Sequence, residues 1–397
     1  MNELYNIQFS SVYTLFFAVI LALLGEWINS KVSVFRKYCI SGAVVGGLLF
    51  AALALALRLT GVVGFTFDNS YQGFFMDLFF TASGFGASMV VLKKGGKVVI
   101  VFLILASLLA FLQNVLSVSL GTMLGLEPMI ALMTGSIPMT GGHGYAASFA
   151  PPDYPGALSV AIAAATFGLV SGSLLGGPLA NSLIQKKHLL DSVADGSMDT
   201  ESPEKSAAMV SVGEIPKSFF LIFVALGVGM IMQSVFNYFF PSVVLSSHVM
   251  GMCGGAVMRV ALDAKKADVP EVEIETIGDV FLTVFVSMAI YTMKLWELID
   301  MALPIMVVLL AQVLLMYLFA RYLTFNLTGK NYDAAVICAG HVGFGLGAVP
   351  VAMANMNALR VKYRYSKLAF LVVPVIGGLF CNFTNAAIIT MWLNWCR

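Results

Sequence analysis

Two glycine-dense strings hold the residues best suited to chemistry. One is Gly141-Gly142-His143-Gly144, with Ser136 and Thr140 before it and Tyr145 after it; the other runs Gly340-His341-Val342-Gly343-Phe344-Gly345-Leu346-Gly347 and is followed by Pro350. Glycine lets backbone N–H groups approach a ligand closely, and a neutral imidazole both donates and accepts hydrogen bonds. With the amide of Asn114, such groups suit the carboxylates of a small anion. Oxygen ligands for a hard cation such as sodium stand on the segments that follow each string, at Thr166, Asn181, Asn382, Thr384 and Asn385. Asp77 and Asp279 are ionisable residues inside apolar runs, where charge marks ion paths. Each group also has a plainer reading. Small residues allow close helix packing, amides and hydroxyls bond between helices, histidines satisfy backbone, and the two aspartates sit at a membrane interface. Gln113 and Asn114 lie deep in an apolar run and must face protein or a cavity, because an unpaired amide in lipid is costly. Glu127 and Asp333 read as caps of the helices that follow them.

The elements that position these residues are membrane helices. The chain has 397 residues, 59% hydrophobic and only 11% charged, against about 25% charged in an average soluble domain. Apolar stretches near 98–119, 218–233 and 301–322 approach the roughly 20 residues that cross a bilayer. A net charge of +1 without a basic run leaves no footprint for nucleic acid. The five cysteines form no close pairs and read as packing residues. The first ten residues contain Glu3 and no Lys or Arg, so the first hydrophobic segment is expected to remain in the mature protein.

Apolar length and charge or Gly/Pro breaks predict an all-α integral membrane protein. Ten spans are expected near 9–29, 39–59, 73–92, 97–121, 158–184, 216–238, 241–262, 275–293, 300–321 and 368–393. Two glycine- and proline-rich pieces, near 128–150 and 334–356, read as re-entrant, since broken backbone at membrane depth needs protein or a polar cavity around it. With both termini extracytoplasmic, 19 of the 22 basic residues fall on cytoplasmic ends, Lys93, Lys94 and Lys205 among them; only Arg58, Lys294 and Arg397 fall outside. A polar stretch at 185–216 reads as a flexible cytoplasmic linker between two five-helix halves, 1–184 and 217–397.

The halves repeat. Asp77 matches Asp279, Glu127 matches Asp333, the two glycine strings match loosely, and Gly176-Gly177-Pro178-Leu179-Ala180-Asn181 matches Gly377-Gly378-Leu379-Phe380-Cys381-Asn382. An odd number of spans per half makes these inverted-topology repeats, whose broken segments meet near the midplane around the substrate.

The chain also resembles the bacterial sodium:glutamate symporter family over essentially its full length. The resemblance rests on Lys294-Leu295-Trp296-Glu297-Leu298, the run from Gly329 to Val336, Gly340 to Met356 and Leu368 to Pro374, with Thr140 to Gly144 and Thr166 to Val170 in the first half. It implies sodium-coupled glutamate uptake across the plasma (inner) membrane, with Na+ as the coupling ion and no other cofactor. It also implies a homodimer whose mobile core moves against a scaffold in an elevator fashion. The chain departs from the family pattern at Tyr145, where Thr is expected, at Val349 and Val351, where hydroxyl residues are expected, and at Asn181 and Asn382, where Arg and Asp are expected. An ion- or proton-coupled carrier of another amino acid or organic anion is the competing reading. A channel is more remote, and so is an intramembrane enzyme, because the four scattered histidines build no catalytic constellation.

Overall fold

The computed structural model describes residues 5–37, 40–61, 63–86, 96–190, 210–240, 246–296 and 301–397. In the first half, the helices are α1 (Ser11–Lys31), the short α2 (Ser33–Lys37), α3 (Gly42–Leu59), α4 (Ser70–Gly84) and α5 (Gly96–Met123). A broken run follows, α6 (Pro128–Leu132), α7 (Ser136–Met139) and α8 (Gly142–Phe149), and then α9 (Ala157–Lys186). The second half repeats this order with α10 (Ile215–Phe239), α11 (Ser247–Ala264), α12 (Glu271–Tyr291) and α13 (Ala302–Leu327). Its broken pair is α14 (Tyr332–Gly345) and α15 (Val349–Lys362), and α16 (Lys367–Cys396) closes the chain.

Among the described residues, eight helices are long and apolar enough to cross a membrane: α1, α3, α5, α9, α10, α12, α13 and α16. The spans expected at 73–92 and 241–262 correspond to α4 and α11. The first is described for 15 residues only, and the second carries Arg259 and Asp263 in its last turns; neither is among the eight. Residues 87–95, with Lys93 and Lys94, lie outside the described residues, as do 191–209, the greater part of the expected linker.

The all-α expectation needs one correction. A parallel two-stranded sheet pairs β1 (Tyr5–Phe9) with β2 (Val63–Phe67), from Tyr5 opposite Val63 to Phe9 opposite Phe67. Its stabilisation is aromatic: Phe9 stacks on Phe67, and Phe67 meets the edge of Tyr291 at 5.0 Å between centroids, a geometry that contributes beyond buried area.

Contacts divide the helices into two groups. In one group α1 packs on α3, and α10 packs on α11 in the same way; α3 meets α12 as α11 meets α4, and α4 meets α12. In the other group α5 meets α13, while α5 touches α16 as α13 touches α9. Exchanging the halves therefore reproduces these pairings. The groups meet mainly where α8 and α9 touch α12. Close backbone approach underlies the first group: a Cβ at Gly25 would stand 1.9 Å from the Gly42 carbonyl oxygen, and one at Gly229 2.4 Å from that of Met250. In lipid such contact replaces the hydrophobic drive that assembles helices in water.

Candidate functional site

Both glycine strings break helices, and the breaks meet. Gly135 leaves helical geometry between α6 and α7 (φ −90°, ψ −143°), and Gly142 opens α8 with φ +63°, a region that costs an L-residue roughly 1–2 kcal/mol. In the second half Ala348 is fully extended (φ −164°, ψ 163°), and Pro350 lies in the first turn of α15, where its missing N–H is not needed. A Cβ at Gly142 would stand 2.9 Å from the Gly347 carbonyl oxygen. The two breaks are thus in van der Waals contact.

One side chain of α5 ties them. Gln113 is fully buried; its Nε2 donates to the Gly345 carbonyl at 2.7 Å, and its Oε1 accepts from the Thr140 hydroxyl at 2.8 Å. Gln312 on α13, 199 residues away, donates from Nε2 to the carbonyls of Gln113 (2.8 Å) and Thr134 (3.2 Å). Each glutamine therefore reaches the broken segment of the other half. The sequence reading omitted Gln312, although it is the one amide in the apolar run from Ala302 to Leu318 and stands at the repeat offset from Gln113.

Beside the first break lies a second cluster. The Asn114 Oδ1 accepts from the Ser136 N–H at 2.7 Å, and the Asn385 Nδ2 donates to the Ser136 carbonyl at 3.3 Å. All three residues are at most 1% exposed. Among the described residues, Asn114 Nδ2, Ser136 Oγ and Asn385 Oδ1 have no hydrogen-bond partner, and neither has Gln312 Oε1. Orphaned polar atoms in a buried site cost about 1–3 kcal/mol each unless a ligand satisfies them.

The remaining candidates separate. His143 shares a hydrogen bond with the Thr166 hydroxyl (3.0 Å), and His341 with that of Thr324 (2.9 Å). The His341 ring is enclosed by Phe102, Phe319 and Phe344. Gly340 and Gly343 allow close packing on Val373 and Ala352, and Gly144 faces Leu282 and Phe285 of α12; the Gly347 carbonyl turns to Gly142 of the first tip, and the Gly345 carbonyl accepts from Gln113 of α5. The Tyr145 hydroxyl donates to the Asn382 carbonyl at 2.8 Å, and the Asn382 amide donates back to Gly378 in its own helix. Thr384 accepts from Ser107 at 2.9 Å. The Asn181 Oδ1 accepts from Lys362 Nζ at 2.8 Å near the end of α9, away from the breaks. Asp77 accepts from Ser247 (2.8 Å) within the first helix group, and Asp279 is exposed on α12. The structure does not bring Asn181, Asp77 or Asp279 to the tips.

The capping expectation also needs correction. Glu127 makes no side-chain cap. Asn331 caps α14 by accepting from the Ala334 N–H at 2.9 Å, while Asp333 accepts from the Ser366 hydroxyl.

Comparison with known proteins adds the family. Residues 7–365 match the model of the family described as sodium/glutamate symporter. The sodium/glutamate symporter of Escherichia coli K12 is 36% identical over 388 residues, covering 96% of each chain, and that of Haemophilus influenzae is 34% identical over 392 residues with the same coverage. Among solved structures, a sodium proton antiporter from Methanocaldococcus jannaschii covers 96% of this chain and 97% of its own at 16% identity, with a TM-score of 0.42, too loose a likeness to carry an argument.

Proposed function

The chain belongs to the sodium/glutamate symporter family, and we propose that it is a multi-pass secondary transporter that carries glutamate with sodium across the plasma membrane. It is a transporter and not an enzyme. The observation that carries the reading is the meeting of two broken helices, bridged by Gln113, beside buried oxygens that lack partners. On this reading the substrate carboxylates are received by N–H groups of Gly141 to Tyr145 and by Thr140 and Asn114. The carbonyls turned across from Gly345 and Gly347, with His143 and His341 held in place by their threonines, shape the opposite wall.

Sodium belongs at Ser136 and Asn385. Amide oxygen and nitrogen are interchangeable by a half-turn of the side chain. That turn sets Asn385 Oδ1 near the Ser136 carbonyl, with the Ser136 hydroxyl alongside, an all-oxygen set that a hard cation prefers. A cation there stiffens the first break and so favours the anion, which is thermodynamic coupling.

Ten spans in two inverted repeats of five complete the proposal, with re-entrant tips, extracytoplasmic termini and a cytoplasmic linker. It is supported by the contact pattern that survives exchange of the halves. The first helix group would be the scaffold and the second the mobile core of an elevator; a homodimer follows from the family likeness alone. The test is uptake of labelled glutamate into proteoliposomes under an inward sodium gradient. Uptake that persists unchanged when the gradient is collapsed refutes coupling. A reporter fused after Arg397 that reads cytoplasmic overturns the topology.

A second reading, another amino acid or organic anion as cargo, is favoured by one contact: Tyr145, a departure from the family pattern, donates its hydroxyl to the Asn382 main-chain carbonyl beside the first tip. Competition of unlabelled amino acids and dicarboxylates against labelled glutamate separates the two.

A further inference from the structure

The tips hold no cation. Among the residues of α6, α7, α8 and α14 the one charged side chain is Asp333, so an approaching anion must be attracted from elsewhere. Two adjoining cavities lie outside them. The first, about 720 Å³, is lined by Arg58, Lys294 and Trp296 together with Asn6, Thr66 and Asn69. The second, about 460 Å³, shares Asn69 and Lys294 with the first and extends to Ala147 and Ser148 of α8, the helix that begins at the Gly142 tip. The two make a route from an outer chamber to the cleft between α8 and the α4–α12 side of the first helix group.

We propose that the first cavity is a recruiting site for carboxylate anions, in which Arg58 and Lys294 gather substrate before it reaches the tips. The inference rests on the proposed function for its anionic cargo and its outward orientation. Arg58 and Lys294 are two of only three basic residues that the topology leaves on the extracytoplasmic side, where the positive-inside bias gives no reason for them, and both line one chamber. The Arg58 guanidinium lies over the Trp296 ring, 4.2 Å from its centroid. Stacking of this kind fixes the plane of the group and leaves its N–H edge for a carboxylate, which a guanidinium grips at two points. The wall is built rather than frayed: Asn69 donates to Thr292 (3.3 Å), and Asn6 donates to Thr66 (2.7 Å) across the sheet.

Asp68 supplies an opposing charge at the rim. It adjoins Asn69 but does not line the chamber. The Ser70 hydroxyl, and then the Ser70 N–H, hold its carboxyl below the usual carboxylate range, so it stays ionised wherever transport is assayed. Its removal should therefore act in the direction opposite to removal of Arg58.

The test is initial-rate uptake of labelled glutamate into proteoliposomes at a fixed sodium gradient, with choline chloride setting the ionic strength. For the unaltered protein KM should rise with choline chloride, because added salt screens the attraction. At low ionic strength the Arg58→Gln, Lys294→Gln double variant should show KM raised about 3- to 10-fold with kcat unchanged and the salt dependence lost. Arg58→Lys should recover part of the effect, and Asp68→Asn should lower KM. Monodisperse elution of each variant certifies folding. If the unaltered protein transports glutamate but the double variant keeps its KM and its salt dependence, the recruiting site is refuted. If the unaltered protein takes up no carboxylate under any sodium gradient, the proposed function itself falls.

Discussion

Replacing Gln113 by leucine asks whether one side chain holds the two tips together. Leucine nearly matches glutamine in volume, so packing changes little. What is lost is the donor to Gly345 O at 2.7 Å and the acceptor for the Thr140 hydroxyl at 2.8 Å, in a position with no exposed surface. The buried Gly345 carbonyl and the half-buried Thr140 hydroxyl are left without partners, at about 1–3 kcal/mol for a fully buried group and less for a half-buried one. Hydrogen bonds inside membrane proteins lie toward the low end, averaging about 0.6 kcal/mol in measured cycles. Weighing the two, Gln113→Leu should destabilise by about 2–4 kcal/mol, and Thr140→Val, which removes one bond, by about 1 kcal/mol. The double variant should cost no more than Gln113→Leu alone, because Thr140 has already lost its partner, giving a coupling energy of about 1 kcal/mol. Equilibrium unfolding in detergent, with and without sodium and glutamate, reads these values. The ligand-induced stabilisation should shrink in Gln113→Leu, since the binding-competent pairing of the tips is less populated. Full additivity of the two substitutions, or an undiminished ligand-induced shift in Gln113→Leu, would refute the bridge.

Four further outcomes follow from the same geometry. Gly142→Ala forces φ +63° on an L-residue and drives a Cβ to 2.9 Å from Gly347 O; uptake should fall by about tenfold or more while the protein remains monodisperse. Asn385→Ala should raise the sodium concentration for half-maximal uptake about tenfold, whereas Asn382→Ala, whose amide serves its own helix, should change it less than about twofold. Tyr145→Phe removes the hydroxyl bond to Asn382 O and should cost about 1 kcal/mol of stability, read by thermal unfolding. Asn181→Ala should leave glutamate KM within about twofold of the unaltered protein, because its partner Lys362 lies away from the breaks.

The helix breaks are legible in the sequence because glycine and proline act on the backbone directly: Gly142 needs a left-handed φ, and Pro350 needs a first turn. The long apolar runs behind α5, α9 and α13 are legible for the same kind of reason, since lipid asks for length. Which face a polar side chain takes is another matter. Successive helical residues differ by about 100°, so Thr384 turns to Ser107 on α5 while Asn385 turns to Ser136 on α7; both had equal standing in a string of residues. Asp77 and Asp279 were drawn together by repeat offset, which pairs equivalent places but does not say which helix group they join. The five-residue strands escaped because their pairing is non-local, joining Phe9 to Phe67 across three helices. Gln312 was within reach, had the offset near 200 that relates the halves been applied to Gln113.

The glutamine pair also argues that the two tips are not equivalent, despite the repeat. Both donors are spent on carbonyls of the opposite break, Gln113 on Gly345 and Gln312 on Thr134. The acceptors differ. Gln113 Oε1 is satisfied by Thr140, whereas Gln312 Oε1 has no partner among the described residues; unpartnered atoms of Asn114, Ser136 and Asn385 stand around the first break, and the unpartnered atom on α14, His341 Nε2, is a nitrogen. The second break places Leu346, Val349 and Val351 where the first places Ser136 and Thr140, and it offers no comparable set of side-chain oxygens. A desolvated cation needs such a set and an apolar lining cannot supply it. On the proposed reading, sodium therefore loads on the first tip, and the Gln113 bridge carries its effect to the second: ordering the first break fixes Thr140, Thr140 fixes Gln113, and Gln113 fixes the Gly345 carbonyl. Coupling of this form runs through a short hydrogen-bonded chain, so a single apolar substitution at Gln113 should lower the sodium dependence of glutamate binding while leaving sodium's own affinity nearly unchanged.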